Sequence, residues 1–290
     1  PISPKKGSNI ISFVDAAQLK KEQMVKLPVI VYNRKSQSDV YLDAISIRAK
    51  LEAQAKIEQL TSGRYIRPIV LFQAQPKNNA DSTTYEKIKK TLVDIGIPEN
   101  HIAIKTGDKD ELKNADLLST DCPIRYIITV NALKEGWDCP FAYVLATVAN
   151  RNSVVDVEQI LGRVLRLPYT KINTSDVLNL SYVITSSADF YGTLDKVVDG
   201  LNSAGFSSKD YRVMEREANQ EVVTYPTGVA DQLELIDSVD LPVGLEEIFN
   251  ELPIVDTAEL KVKIETTLQE IANENELITD IIKNDELLSV

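Results

Sequence analysis

Between Tyr126 and Pro168 the hydrophobic period of the chain changes, and that change constrains the fold more than any other feature. Tyr126 to Val130 is an apolar run rich in β-branched residues and of strand length, and after a polar loop from Asn131 to Pro140 a second apolar run spans Phe141 to Val148. From Ser153 the spacing becomes helical. Val154, Val157, Ile160, Leu161, Val164 and Leu165 recur at three and four, and Pro168 closes the pattern. The stretch reads as strand, loop, strand, helix.

The helix carries Gln159, Gly162, Arg163 and Arg166 within two turns, with the arginines three apart on neighbouring positions. Two guanidiniums side by side repel unless an anion sits near them. The loop upstream holds Glu135, Gly136, Trp137 and Asp138, so that a glycine permitting close backbone approach lies beside a carboxylate able to accept from sugar hydroxyls. In a parallel sheet, loop and helix are both expected at the carboxyl ends of strands, where such folds bind ligands. Alone, an arginine pair is usually a solvated helix face and a Gly-x-Asp loop an ordinary turn. Their order after two strands makes a phosphate site the expectation.

The run from Gln159 through Gly162 and Arg163 to Arg166 resembles motif VI of superfamily 2 helicases, Q-x-x-G-R-x-x-R, and the run from Lys134 to Pro140 resembles their motif V. The wording of Glu135 to Pro140, with Pro68 to Gln73 upstream, is most similar to the helicase-like Res subunit of type III restriction enzymes. The likeness covers residues 65 to 185. It implies the second RecA-like domain of an ATP-driven DNA motor. Arg163 and Arg166 would be arginine fingers; Gly136, Asp138 and Gln159 would meet ATP. Gln73, Thr106, Thr129 and Asn131, in loops after strands, would touch the nucleic-acid backbone, a task that suits short hydroxyl and amide side chains.

No G-x-x-x-x-G-K-S/T occurs, nor a D-E-x-H-type acidic motif. The phosphate loop and the Mg²⁺ would therefore come from a first RecA-like domain, absent from this sequence, and the chain alone is expected to show no ATPase. The resemblance adds double-stranded DNA and a modification (methyltransferase) subunit as partners; a cytoplasmic location is the expectation from the low cysteine count. A nuclease would need an acidic P-D with a downstream D/E-x-K; Glu259-Leu-Lys261 after Asp256 is a weak, common pattern and reads as a helix face. The alternative is a degenerate, non-catalytic helicase-like module that binds nucleic acid or a partner protein.

Charge is compatible with this reading because the net charge of −11 is concentrated in the tail. Residues 231 to 290 hold 16 acidic residues against 3 lysines, leaving 27 acids and 29 bases in residues 1 to 230. Cys122 and Cys139 are too few for a disulfide framework or a zinc site, and the only histidine, His101, opens an apolar run. No run of about 18 apolar residues and no leader is visible.

Elsewhere, strands are expected at Asn9 to Val14, Leu27 to Tyr32, Ile69 to Phe72, His101 to Ile104, Asn179 to Ile184 and Glu221 to Tyr225. Helices are expected at Asp39 to Leu60, Tyr85 to Ile95, Asp110 to Leu118, Ala188 to Leu201 and over most of Ile254 to Leu288. Alternation of strand and helix argues for a parallel α/β sheet. The division expected is a leading segment at 1–35 from an inter-domain region, a RecA-like domain at 36–205 and an appended acidic, mostly helical segment at 206–290.

Overall fold

The computed structural model describes residues 16–76, 83–130, 138–148, 164–186, 211–217, 220–224, 262 and 264–266. The expected strand at Asn9 to Val14, the helix at Ala188 to Leu201, most of the motif VI helix and most of Ile254 to Leu288 lie outside them.

After a short helix α1 (Ala16–Lys21), six strands alternate with connecting segments: β1 (Val29–Asn33), β2 (Ile69–Gln73), β3 (Ile102–Lys105), β4 (Tyr126–Thr129), β5 (Ala142–Thr147) and β6 (Ser181–Thr185). β7 (Tyr211–Glu217) and β8 (Gln220–Thr224) follow. All belong to one sheet in the order β3-β4-β2-β5-β6-β1-β7-β8, parallel except for the antiparallel pair β7 and β8. The six strands through β6 are almost wholly buried, as a parallel sheet requires of strands built from Val, Ile, Leu and aromatic residues. This is the α/β arrangement that the RecA-like expectation calls for. β1, and the β7–β8 hairpin, extend the sheet from either side of residues 36–205.

The long helix α2 (Gln37–Ser62) crosses the sheet and packs on β2, β5 and β6. It starts where Ser36 accepts a hydrogen bond from the Asp39 N–H at 3.2 Å, and it stops where Gly63 takes φ +72° and donates to the Gln59 carbonyl. Val40, Tyr41, Ala44, Ile45, Leu51 and Ala55 are buried on its inner face. α3 (Tyr85–Asp94) buries Ile88 and Leu92. Each such fully buried aliphatic side chain contributes about 1.5–3 kcal/mol.

The helix expected at Asp110 to Leu118 is not there; the segment is a series of turns. The Asp110 and Asp116 carboxylates accept from the Leu112 and Leu118 N–H groups, local bonds that compete with a helix. The buried Arg67 takes the carbonyls of Leu117 and Ser119 at 2.5 and 2.7 Å, drawing the end of the segment against the β2 approach. Glu111 uses both its backbone N–H and its carboxylate on Ile104, covering the open side of β3.

Candidate functional site

Because β1 to β6 run parallel, their carboxyl ends share one edge, and register shows what stands there. Lys105, Thr129, Gln73, Thr147, Thr185 and Asn33 are paired neighbour to neighbour across six strands, a polar row closing an apolar sheet. Thr129 and Gln73, both expected to touch nucleic acid, are buried in it, and among the described residues the Gln73 Oε1 has no hydrogen-bond partner. They therefore shape the edge from beneath.

The groups above them come from loops. Thr106, one residue beyond β3, is half-buried, and its hydroxyl accepts from the Lys109 N–H at 3.0 Å. Gln75 accepts from the Thr83 N–H at 2.8 Å, while the Gln37 amide spans from Thr83 Oγ1 at 3.1 Å to the Val148 carbonyl at 3.2 Å. Lys35 and Lys109 are exposed cations at the same edge. Gln37 and Lys35 were missed by sequence reasoning because they follow β1, which reads as part of a leading segment; the signal was the strand-to-cap spacing of Val29 to Ser36. Asn131 lies outside the described residues.

The described ends of the two motifs, Asp138 to Pro140 and Val164 to Arg166, stand at the other edge, whereas both were expected at carboxyl ends. Asp138 lies just before β5, and the Phe141 carbonyl accepts from Ile69 at the start of β2. Arg166 forms an antiparallel bridge with Val25, ahead of β1. The physical reason is that the connection after β4 has to return across the domain to enter the parallel strand β5, so the end of motif V arrives at an amino end. There the Arg166 guanidinium pairs with the Asp138 carboxylate, with side chains 48% and 51% exposed. Of the proposed ATP-contacting set, these two are brought together; Gly136, Gln159 and Arg163 lie outside the described residues.

A clasp holds this pair in place. The Lys26 N–H donates to the Leu165 carbonyl at 2.6 Å and the Leu167 N–H to Met24 at 2.9 Å, so both sides of Arg166 are fixed to the strand entering β1. The fully buried Lys26 side chain donates to the carbonyls of Pro140 at 3.2 Å and Ala142 at 2.7 Å, just beyond Asp138, and lies 3.9 Å from the centre of the Tyr143 ring. Burial drives its pKa well below the usual lysine range. Beside it, burial pushes the Cys139 thiol up to about 11, so this cysteine is a packing residue and not a nucleophile. Nothing in the sequence marks Lys26 out, since one lysine in a lysine-rich connection carries no pattern.

A cleft of about 810 Å³ lies elsewhere, on the outer flank of β3 between Lys89, Ile102, Asp116 and Cys122. Neither Asp138 nor Arg166, nor any residue of the polar row, lines it.

The fold and the two edges define a parallel α/β domain with a polar carboxyl edge and an exposed acid–arginine pair at its amino edge. No family model matches the chain and no curated protein matches it. Among solved structures it is similar to the ATP-dependent type ISP restriction-modification enzyme LlaBIII bound to DNA, at 13% identity, 76% of this chain, 17% of that one and a TM-score of 0.38. It is also similar to a fragment of a putative HsdR subunit of a type I restriction enzyme from Vibrio vulnificus, at 20% identity, 71% of this chain, 39% of that one and a TM-score of 0.36. A third is domain 2 of the DEAD-box helicase Mss116p bound to an RNA duplex, at 13% identity, 86% of this chain, 80% of that one and a TM-score of 0.35. At such identities and TM-scores the likeness carries nothing about activity, which has to be argued from the chain's own side chains.

Proposed function

We propose that this chain is the second motor domain of an ATP-dependent DNA helicase or translocase of the type III restriction Res kind. The observation that carries the reading is the Asp138–Arg166 pair: the two segments that resemble nucleotide motifs, 28 positions apart, meet as an exposed acid and base at one edge. An ion pair this open to water contributes at most about 1 kcal/mol, so its guanidinium can exchange the carboxylate for a phosphate. Asp138, released, can accept from a ribose hydroxyl.

In this reading Arg163 and Arg166 place positive charge where negative charge develops on the transferred phosphoryl group, and Gly136 and Gln159 line the same site. ATP would be held between this edge and a first RecA-like domain bringing the phosphate loop and Mg²⁺. Duplex DNA would track the opposite edge, against Thr106, Asn131, Gln75 and the lysines, with Gln73 and Thr129 beneath. A methyltransferase partner subunit and a cytoplasmic location belong to the same proposal.

The test is ATP hydrolysis, with and without duplex DNA, by this chain supplied with a first domain. Arg166→Ala and Arg163→Ala are each expected to lower DNA-stimulated turnover by about a hundredfold or more while nucleotide still binds. One observation favours a second reading: Arg166 already has an acidic partner within the chain, which suits a non-catalytic module. Turnover indifferent to both arginines would favour that module.

A further inference from the structure

Three residues beyond Arg166 the backbone does something unusual. Tyr169 and Thr170 both take positive φ, +59° and +48°, one after the other, although neither is glycine and Thr170 is β-branched. L-residues adopt this conformation rarely and singly. The segment is held there on several sides. Arg64 donates to the carbonyls of Lys171 and Ile172 at 3.3 and 3.1 Å, and Glu58 anchors Arg64 at 2.7 Å.

The result is a tyrosine held by its hydroxyl. A half-exposed tyrosine normally buries its ring and offers its hydroxyl to water. Here the Tyr169 hydroxyl donates to the Tyr65 carbonyl at 2.6 Å, so its polar tip is tied to the protein while the residue remains 50% exposed. Half of the residue stays open to water beside that bond. One side of the ring rests edge-on against Phe141, with centroids 6.3 Å apart, and Phe141 in turn rests on Tyr65. The exposed Met24 and Ile172 belong to the same connected segment, through the Leu167 N–H on the Met24 carbonyl and the Ile172 N–H on the Gln23 side chain.

We infer that Tyr169 is a stacking platform for the planar base of a nucleoside triphosphate, whose phosphates would lie toward Arg166 and whose sugar toward Asp138. The placement is direct: Tyr169 follows Arg166 by three residues, and Phe141, which it touches, follows Asp138 by three. A rigid, apolar ring beside an exchangeable arginine is what a ligand with a flat base and an anionic tail requires. Strain and pinning hold the ring ready, so binding does not have to order it. This inference rests on the nucleotide reading of the Asp138–Arg166 edge.

The experiment compares the dissociation constants of ATP and of inorganic tripolyphosphate, by titration calorimetry, for this chain supplied with a first RecA-like domain, as wild type, Tyr169→Ala, Tyr169→Phe and Arg166→Ala. The platform predicts that wild type prefers ATP by about tenfold, the scale of one base stacked on an aromatic ring. Tyr169→Ala should abolish the preference with tripolyphosphate binding unchanged, Tyr169→Phe should keep it, and Arg166→Ala should weaken both ligands together. A preference that survives Tyr169→Ala, or equal binding of both ligands by wild type, overturns the platform and leaves the phosphate site standing. Binding of neither ligand by wild type overturns the platform and the nucleotide reading together.

Discussion

Lys26 shows what one side chain can do when the fold removes it from water. Its amine reaches two carbonyls and a tyrosine face, and no carboxylate is among these contacts. Because burial lowers its pKa, the unfolded chain binds the proton more readily than the folded protein between that lowered value and the ordinary lysine value of about 10.4. Stability should therefore rise with pH across that window. The buried tyrosines set the upper limit: burial raises the pKa of Tyr143 and Tyr182, so above about pH 10 the unfolded chain ionises first and stability falls again. Urea denaturation at pH 7 and 9 should find the rise in wild type and a flatter profile in Lys26→Met. The same substitution should cost about 2–4 kcal/mol at pH 7, because the Pro140 and Ala142 carbonyls lose their donor.

At the scale of elements, α2 is tied to the start of β4 by a network of charges. Arg48 donates to the Tyr126 hydroxyl at 3.0 Å and to Glu52 at 2.6 Å, and Arg125 reaches Glu52 at 3.0 Å and the carbonyls of Cys122 and Pro123. Burial alone would raise the Glu52 pKa, but the two guanidiniums outweigh it and hold the carboxyl below its usual range. A depressed carboxylate stabilises above the unfolded value of about 4.3, and that contribution disappears as pH falls through the folded one. Glu52→Gln should cost about 1 kcal/mol at pH 7, allowing for solvent screening of a partly open pair. Denaturation midpoints of variant and wild type should converge below pH 3. The same two arginines, after burial, keep the nearby His101 below its ordinary pKa, so it stays neutral at pH 7 and adds no charge to the network.

Over the whole molecule, the functional proposals separate onto opposite edges of one sheet. A ligand at the amino edge and a strand of nucleic acid at the carboxyl edge would communicate through β2, β4 and β5, which span the distance between them. The carboxyl edge has its own test. If Lys35 and Lys109 contact phosphates, each alanine substitution should weaken duplex DNA binding to every sequence alike and reduce the salt slope of log K by about 1. Unchanged slopes in both variants would remove that edge from the DNA track. Among the described residues no helix is long and apolar enough to cross a membrane.

Much of this was legible in the residues themselves. Strands built as continuous apolar runs, from Val29, Ile69, Tyr126 and Ala142, announce burial on both faces, and Ser36 with Gly63 brackets α2 to within two residues of the expected ends. Of the Gly-x-Asp and G-R-x-x-R patterns, Asp138 and Arg166 meet as an acid and a base. Local signals end there, because period and caps report each segment's own preference and not its neighbours. The strand order, the burial of Gln73 and Thr129 and the place of Asp138 at the amino edge follow from parallel pairing across many intervening residues. Arg67 overrode the helix expected at Asp110 to Leu118 through a contact 50 residues away in sequence. Lys26 found its carbonyls more than 110 residues away, and Tyr169 lost its hydroxyl to a carbonyl 104 residues upstream. The sequence determined the buried strands, the long helix α2 and which residue types could carry charge. Tertiary structure decided which of those charges and rings meet, because only long-range packing brings distant partners within bonding distance.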